Sequence, residues 1–449
     1  MAGRGAAAGP VVMTIAFAFV PYALLAVAPL PTRIAQPVAF ALASVAGLAM
    51  VGAPPLLSDD LYRYLWDARV LSHGLDPYAF APDDPALHPL RDGLFARINH
   101  ADLPTIYPPL AQLVFVVENA LAHAVWSPKL VALCAHLATV PVVARLAGDR
   151  AHVASPLHAL NPLALEEAAL NGHVDAFVAL FLALSALALL RGRVHLAALA
   201  LGAVSGLKLV GLALVPLFGR RKAAVVLALG LGLASLATVA HAGHGRAEAR
   251  GLGHYARRWR GNEGGIALLA GGSTLALDGV GRLTGAPAGW IRLTPFGPLL
   301  SALRGTPFDP RAALLEPKKE VQRPLSFQTS HLGDLAGRVL AVGIVALVAL
   351  RHAWRNSPPL PACRDVVLAL LLCAPQVHPW YVVWLLPLDI AAGGLVGWVW
   401  SAAALVAYAP LDGWNATRVW HEWPVARVVE YALVFGALGV ERWSRARAA

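Results

Sequence analysis

The sequence predicts an all-α, polytopic bundle of membrane helices, on three observations. Hydrophobic residues make up 58% of the chain and charged residues only 14%. Runs such as Val11 to Leu30 and Ala223 to Ala240 carry no charge over the length a helix needs to cross a bilayer. The 40 glycines and 34 prolines fit packed, broken membrane helices. The chain, 1–449, therefore reads as one integral membrane domain, with no separate soluble domain.

Hydropathy places spans of roughly 20 residues at 10–30, 35–53, 130–147, 152–169, 174–190, 222–242, 334–354, 363–378, 380–396, 397–411 and 424–441. The segments 108–126 and 195–218 bring the expected total to about 11–13 spans. Arg33, Arg145 with Arg150, Arg191 with Arg193, Arg220, Arg221 and Lys222, Arg351 with Arg355, and Arg442, Arg445 and Arg447 mark the cytoplasmic side by the positive-inside rule. The loops 54–107 and 243–333 then fall outside, as does the N-terminus. For this to close, 108–126, with Glu118, Asn119 and His123, is an outer re-entrant or interfacial helix. Likewise 195–218, with cationic clusters at both ends and Lys208 in its middle, is expected as two half-helices that dip in and return to one face. The first apolar run lacks a strongly basic start and a small-residue cleavage pattern, so no cleavable signal peptide is expected.

The formal charge of +10 comes from Lys and Arg at span ends and in one loop. That placement suits membrane lipids or a lipid phosphate and argues against nucleic acid. Cys134, Cys363 and Cys373 lie in apolar segments, an odd count that argues against a disulfide framework or a metal knuckle.

Chemistry concentrates in four places. The first outer loop opens with SDDLYRYLWDARVLSHGLDPY at 58–78. A paired carboxylate at the mouth of a span is costly to hold there, which directs attention to Asp59 and Asp60. On a short surface helix, residues four apart share a face, so Asp59 should meet Arg63 and Asp60 should meet Tyr64. The loop ends in NHADLPTIYPPL at 99–110, where Asn99, His100, Asp102 and Tyr107 form a polar edge stiffened by prolines. The plainer reading of this loop is an amphipathic helix with solvated acids. The second place is NPLALEEAALNGHVDAF at 161–177. There the turn after Gly172 allows His173 and Asp175 to face one cavity, and Glu166 and Glu167, within an otherwise apolar stretch, suit a cavity-facing or acceptor-binding role; the plainer reading is a turn capped by Asn171 and Asp175.

The third is cationic: Lys208 between apolar half-helices, and Arg257, Arg258 and Arg260 in HYARRWRGNEGG at 254–265. A lone lysine in such a place snorkels or meets an anion, and guanidinium forks suit a phosphate, or simply anionic headgroups. The fourth is QVHPWYVVWLLPLD at 376–389, where an interfacial belt accounts for the Trp and Tyr residues and leaves His378 as a phosphate or proton partner.

In this order, the acidic pair with RY, IYPP, the LEE and NGHVD stretch, the GLK break, RRWRGN and HPWY resemble the GT-C class of glycosyltransferases. Within it the chain looks like bacterial polyprenyl-phosphomannose-dependent mannosyltransferases over nearly its whole length. The DDLYRY stretch also resembles the DE..RY stretch of lipid A aminoarabinose transferases, which makes Asp59 the first choice of catalytic acid and Asp60 the second. The resemblance implies a GT-C-like fold and a donor sugar, mannose in that family, on polyprenyl phosphate. It implies transfer to a lipid or glycan acceptor on the extracytoplasmic face of a bacterial inner membrane. Lys208, Arg257, Arg258, Arg260 and His378 would bind the donor phosphate. Arg63, Tyr64, Tyr107, His173, Asp175 and Tyr381 would orient acceptor or base. The chain departs from some members in lacking a C-terminal soluble domain and a DxD in the first loop, so no metal site is assigned and a divalent cation is not indicated. Two other readings remain at this point. One is a secondary transporter or glycolipid flippase; against it, no repeat is visible and the acids cluster at one face. The other is a structural subunit that binds glycolipid.

Overall fold

Residues 8–240, 251, 255, 261–283, 326–417 and 423–448 are described by the structure, a computed structural model of the chain. Within them the chain is helical and without a strand, and an isolated β-bridge pairs Gly261 with Gln376. Helix α1 (Ala8–Val27) turns Ala8, Ile15 and Tyr22 inward at seven-residue spacing and leaves Met13, Phe17, Val20 and Leu24 exposed, the outward face a lipid tail would cover. Helix α2 (Ala35–Val51) buries Ala35, Ala39, Ala43 and Gly47 on one stripe. Gly47 rests against Leu133 so closely that a Cβ would clash, the small-residue contact by which membrane helices approach one another.

Helix α3 (Asp60–Ser72) starts right after Asp59, and α4 (Pro109–Leu121) starts behind a pair of prolines. Helix α5 (Trp126–Ala147) runs through a 3-10 turn into α6 (Ala151–Ala159). The continuous stretch 126–159 is one of four helices among the described residues that are long and apolar enough to cross a membrane, the others being 8–27, 222–240 and 332–354. After α7 (Pro162–Ala169) come α8 (Asp175–Leu190), α9 (Val194–Leu207), a 3-10 helix at Leu209–Phe218, and α10 (Lys222–Ala240). Beyond the second loop lie α11 (Gly265–Leu283), α12 (Ser326–Trp354), α13 (Pro359–Cys373), α14 (Pro379–Val382), α15 (Leu386–Ala392), α16 (Val396–Ala403), α17 (Leu411–Thr417) and α18 (Pro424–Ala448).

Several expected spans are broken, each for a local reason. The stretch 152–169 divides into α6 and α7 because Pro162 cannot donate a backbone hydrogen bond, and the Asn161 side chain caps the new start by accepting from Ala164 N at 3.0 Å. The three spans expected over 363–411 are instead one helix, a non-helical segment 374–378, and three pieces of eight residues or fewer. Pro375, Pro379 and Pro387, with Gly393 in the left-handed region at φ 74°, punctuate them. The break expected near Lys208 is present: this residue is extended (φ −146°, ψ 131°) between α9 and the 3-10 helix. The chain folds back there, and Gly211 lies so close to α9 that a Cβ would sit 2.6 Å from the Leu201 carbonyl. Helix α4, with 13 residues, is about 20 Å long and too short to cross an apolar layer of about 30 Å.

Helix α3 does not lie along a surface as expected. Every residue from Leu61 to Ala68 is buried. Tyr64 stacks on Phe115 of α4 at 4.2 Å, while Trp66 and Val70 pack on Leu87 and Leu90 from the loop that follows. The loop thus folds over its own helix. At another place Arg364 of α13 bonds Asp389 of α15 at 2.6 Å and Glu441 of α18 at 2.6 Å, and Glu441 also accepts from Val396 N at 3.0 Å. This buried ionic cluster holds the last helix to the broken segment.

Candidate active site

Asp59 and Asp60 enter α3 side by side, and the side-chain amide of Asn99 bridges them. Its Nδ2 lies 2.7 Å from Asp59 Oδ1 and 3.1 Å from Asp60 Oδ1. The second oxygen of Asp60 accepts from Tyr107 Oη at 3.2 Å. Tyr107 is fixed in turn by edge-to-face contacts with Tyr64 and Phe115, and its carbonyl accepts from Tyr78 Oη at 2.7 Å. Burial raises the cost of charge on Asp60. The positive field of His173, Lys208 and His378 and the Asn99 bond outweigh it, holding this carboxyl below the usual carboxylate range.

Two expected pairings are replaced. Arg63 donates from Nε to Asp67 at 2.7 Å, four residues ahead, and not to Asp59 behind it. Asp59 is the residue before the first helical turn, off the face that Arg63 shares with Asp67. Asp60 is met by Tyr107 and not by Tyr64, whose ring is occupied by the stack on Phe115.

His173 and Asp175 do face the same region, as the turn at Gly172 (φ 72°) allows. Asp175 accepts from Trp384 Nε1 at 2.7 Å and pairs with Lys208 Nζ at 3.5 Å, so it does not act as the turn cap of the plainer reading. Lys208 Nζ sits over the rings of Tyr107 at 5.4 Å and Tyr381 at 5.0 Å, a cation held between two aromatic faces and one carboxylate. His378 stacks on Trp380 at 4.2 Å, and Trp380 stacks on His173 at 4.1 Å. Tyr381 stacks on Trp384 at 4.5 Å and shares a hydroxyl bond of 2.9 Å with Tyr255.

Arg257, Arg258 and Arg260 lie outside the described residues. Their flanks do not: Tyr255 meets Tyr381, and Gly261 pairs with the 375–377 backbone. Asn262 then donates to Glu430 and to the Val377 carbonyl.

Sequence reasoning left out Ser58, Glu430 and Trp400 as site supports and noted Asn99 without a role; Glu167, expected to face a cavity or bind acceptor, instead bonds Asn171, His173 and Tyr408. A serine or an amide carries no motif of its own, and Glu430 becomes relevant only through contact with a residue 168 positions away. Among the described residues no three His, Cys, Asp or Glu side chains are grouped to hold a metal ion. A separate apolar cavity of about 370 Å³ between α8 and α9 is lined by Phe181, Leu187 and Leu199, toward the end of α8 remote from Asp175.

The fold and this site define a helical membrane protein that holds a pair of adjacent acids, Asp60 in its ionised form, near a cation set between two tyrosine rings. Residues 2–224 match the MptA_B family, alpha-(1->6)-mannopyranosyltransferase, N-terminal domain. Through that N-terminal half the chain belongs to this mannosyltransferase family, and the protein is a glycosyltransferase whose general reaction is mannosyl transfer from a sugar donor to an acceptor. No curated protein and no solved structure matches the chain.

Proposed function

We propose that the protein is a GT-C mannosyltransferase that takes mannose from a polyprenyl-phosphate donor and places it on a lipid or glycan hydroxyl. The reaction face is extracytoplasmic, in a bacterial inner membrane. The observation that carries this reading is the convergence of Asp60 and Lys208, from segments far apart in the chain, on Tyr107, with Asp59 beside Asp60; on an extracytoplasmic face no nucleotide sugar is supplied, so the donor is lipid-borne.

Asp59 is assigned as general base on the resemblance of DDLYRY to the DE..RY stretch, with Asp60 beside it held by Asn99 and Tyr107. The acceptor oxygen attacks the anomeric carbon as its proton passes to Asp59, and the bond from that carbon to the phosphate oxygen breaks. The departing lipid phosphate gathers negative charge, which Lys208, Arg257, Arg258, Arg260 and His378 are assigned to offset. Tyr107, His173, Asp175 and Tyr381 orient the reacting groups; Arg63 and Tyr64 support them from within α3. A single in-line displacement inverts the centre, so a β-linked donor gives an α-linked product, in accord with the alpha-(1->6) description of the family.

The test supplies membranes carrying the wild-type chain or Asp59→Asn plus Asp60→Asn with radiolabelled polyprenyl-phosphate mannose and a lipid extract. Label should enter new glycolipid in the first and not in the second at equal protein level. Equal labelling in both removes the acid pair from the mechanism, and no labelling in either removes this donor.

A further inference from the structure

The turn between α7 and α8 carries a chain of hydrogen bonds of which the proposed chemistry uses only His173. Glu167 accepts from the Tyr408 hydroxyl on one oxygen. On the other it meets Asn171 Nδ2 at 3.0 Å and His173 Nδ1 at 2.8 Å. The far nitrogen of His173 reaches Ser58 Oγ at 3.0 Å, and that oxygen accepts from the backbone N–H of Asp60 at 3.2 Å. Asn171 makes a second, longer contact, accepting from Leu57 N at 3.4 Å. The segment 57–60, which delivers both carboxylates, is therefore held at two points by one buried knot.

The bond directions follow from chemistry. A carboxylate at Glu167 takes the Nδ1 proton and favours the protonated ring, so Nε2 donates to the Ser58 hydroxyl oxygen and leaves that oxygen a second lone pair. Ser58 Oγ is then free to accept from Asp60 N. The His173 ring cannot rotate out of this line, because Trp380 covers one face at 4.1 Å and its surroundings are fully buried. Glu167 itself is 2% exposed and closes the chain at its inner end. Four residues in line, each satisfying the next, cost more to build here than apolar packing would, since every member must find a partner in a site that excludes water.

We propose that Glu167 is a positioning residue: through His173 and Ser58 it fixes the backbone at Asp59 and Asp60, so that the acid pair meets the acceptor hydroxyl at a set distance. This rests on the acid pair's being the base. Ser58 is the terminal link and meets Asp60 through the backbone N–H. Its loss shifts the pair without removing any charge, so chemistry suffers while the hold on the donor phosphate, built around Lys208, is kept.

The experiment measures kcat and KM for polyprenyl-phosphate mannose in detergent-purified Ser58→Ala, Ser58→Thr, Glu167→Gln and the double variant Ser58→Ala plus Glu167→Gln, with Asp59→Asn and Asp60→Asn in parallel. Ser58→Ala should lower kcat by about tenfold or more with KM within about threefold, the signature of lost transition-state alignment. Ser58→Thr should restore most of the loss. The double variant should be no slower than the worse single one, because both changes cut the same chain. Wild-type kcat in Ser58→Ala, or losses that multiply in the double variant, overturn the proposal. Ser58 is only partly buried, so its variants fold even where Glu167→Gln does not, and thermal unfolding of each variant identifies that case. If Asp59→Asn and Asp60→Asn both keep full kcat, the base assignment fails and this proposal fails with it. If they are inactive while Ser58→Ala is not, only this proposal fails.

Discussion

Lys208 is the residue on which the site's electrostatics turn. It stands within 3.5 Å of Asp175 and above two tyrosine rings, and it supplies part of the field that keeps Asp60 ionised. Lys208→Met should lower turnover by about 100-fold, the scale seen when one preorganised charge partner is removed, and Lys208→Arg should recover part of it. The sign of the pH dependence follows from Asp60. A carboxyl held below its unfolded value of about 3.9 contributes stability above that pH, and the contribution is lost as pH falls through the lower folded value. Between pH 5 and 8 Asp60 should therefore not titrate, and an acid limb of the rate profile that belongs to Asp60 should lie below about pH 4. Asn99→Ala removes one of the interactions that lower the Asp60 value and should move that limb upward. An acid limb unchanged in Asn99→Ala would show that the limb belongs to another group.

Among the elements, the fold-back at Lys208 and the ionic cluster at Arg364 are the most exposed to mutation. Gly211 has no room for a side chain against Leu201, so Gly211→Leu should force the 3-10 helix off α9, displace Lys208 and abolish transfer while the chain still inserts in membranes. Arg364→Ala leaves Asp389 and Glu441 buried without their cation and should cost about 3–5 kcal/mol, read as a large fall in thermal stability in detergent. These elements also show what the sequence makes legible. The spans at 10–30, 130–147, 222–242 and 334–354, the break at Lys208 and the meeting of His173 with Asp175 could be read from apolar run lengths, a lone lysine and a glycine turn, all local signals. The division of 363–411 into short pieces was hidden, because hydropathy sums over a window and does not register where Pro375, Pro379 and Pro387 deprive the backbone of donors. The Arg63 and Tyr64 pairings failed for a different reason. Helix spacing says which residues can touch within α3, but Asp67 and Phe115, one from the same helix and one from α4, decide which contacts form.

On the scale of the whole molecule, the site draws Asp59, Asp60, Asn99, Tyr107, His173, Asp175 and Lys208 from the half of the chain that the family description covers. His378, Trp380, Tyr381 and Trp384 come from the other half. The topology read from the positive-inside rule puts the loop 54–107 outside the cell. Gly93 is exposed with open space around it, so Gly93→Cys should react with a membrane-impermeant maleimide added to intact cells. Labelling only after the membrane is opened would invert the topology and the proposed reaction face together.

The stack of His378 on Trp380 on His173 has a bearing on biogenesis. A chain made from its N-terminus brings its earlier portion into the bilayer first. The acids, the lysine and the Glu167 knot are thus laid down more than 150 residues before translation reaches Trp380 and Trp384, which cover His173 and bond Asp175. Until then the half-built protein holds its reactive groups without the wall that shields them. A ribosome stalled before residue 376 should yield an inserted chain that cannot glycosylate, so activity is acquired in a late step of synthesis.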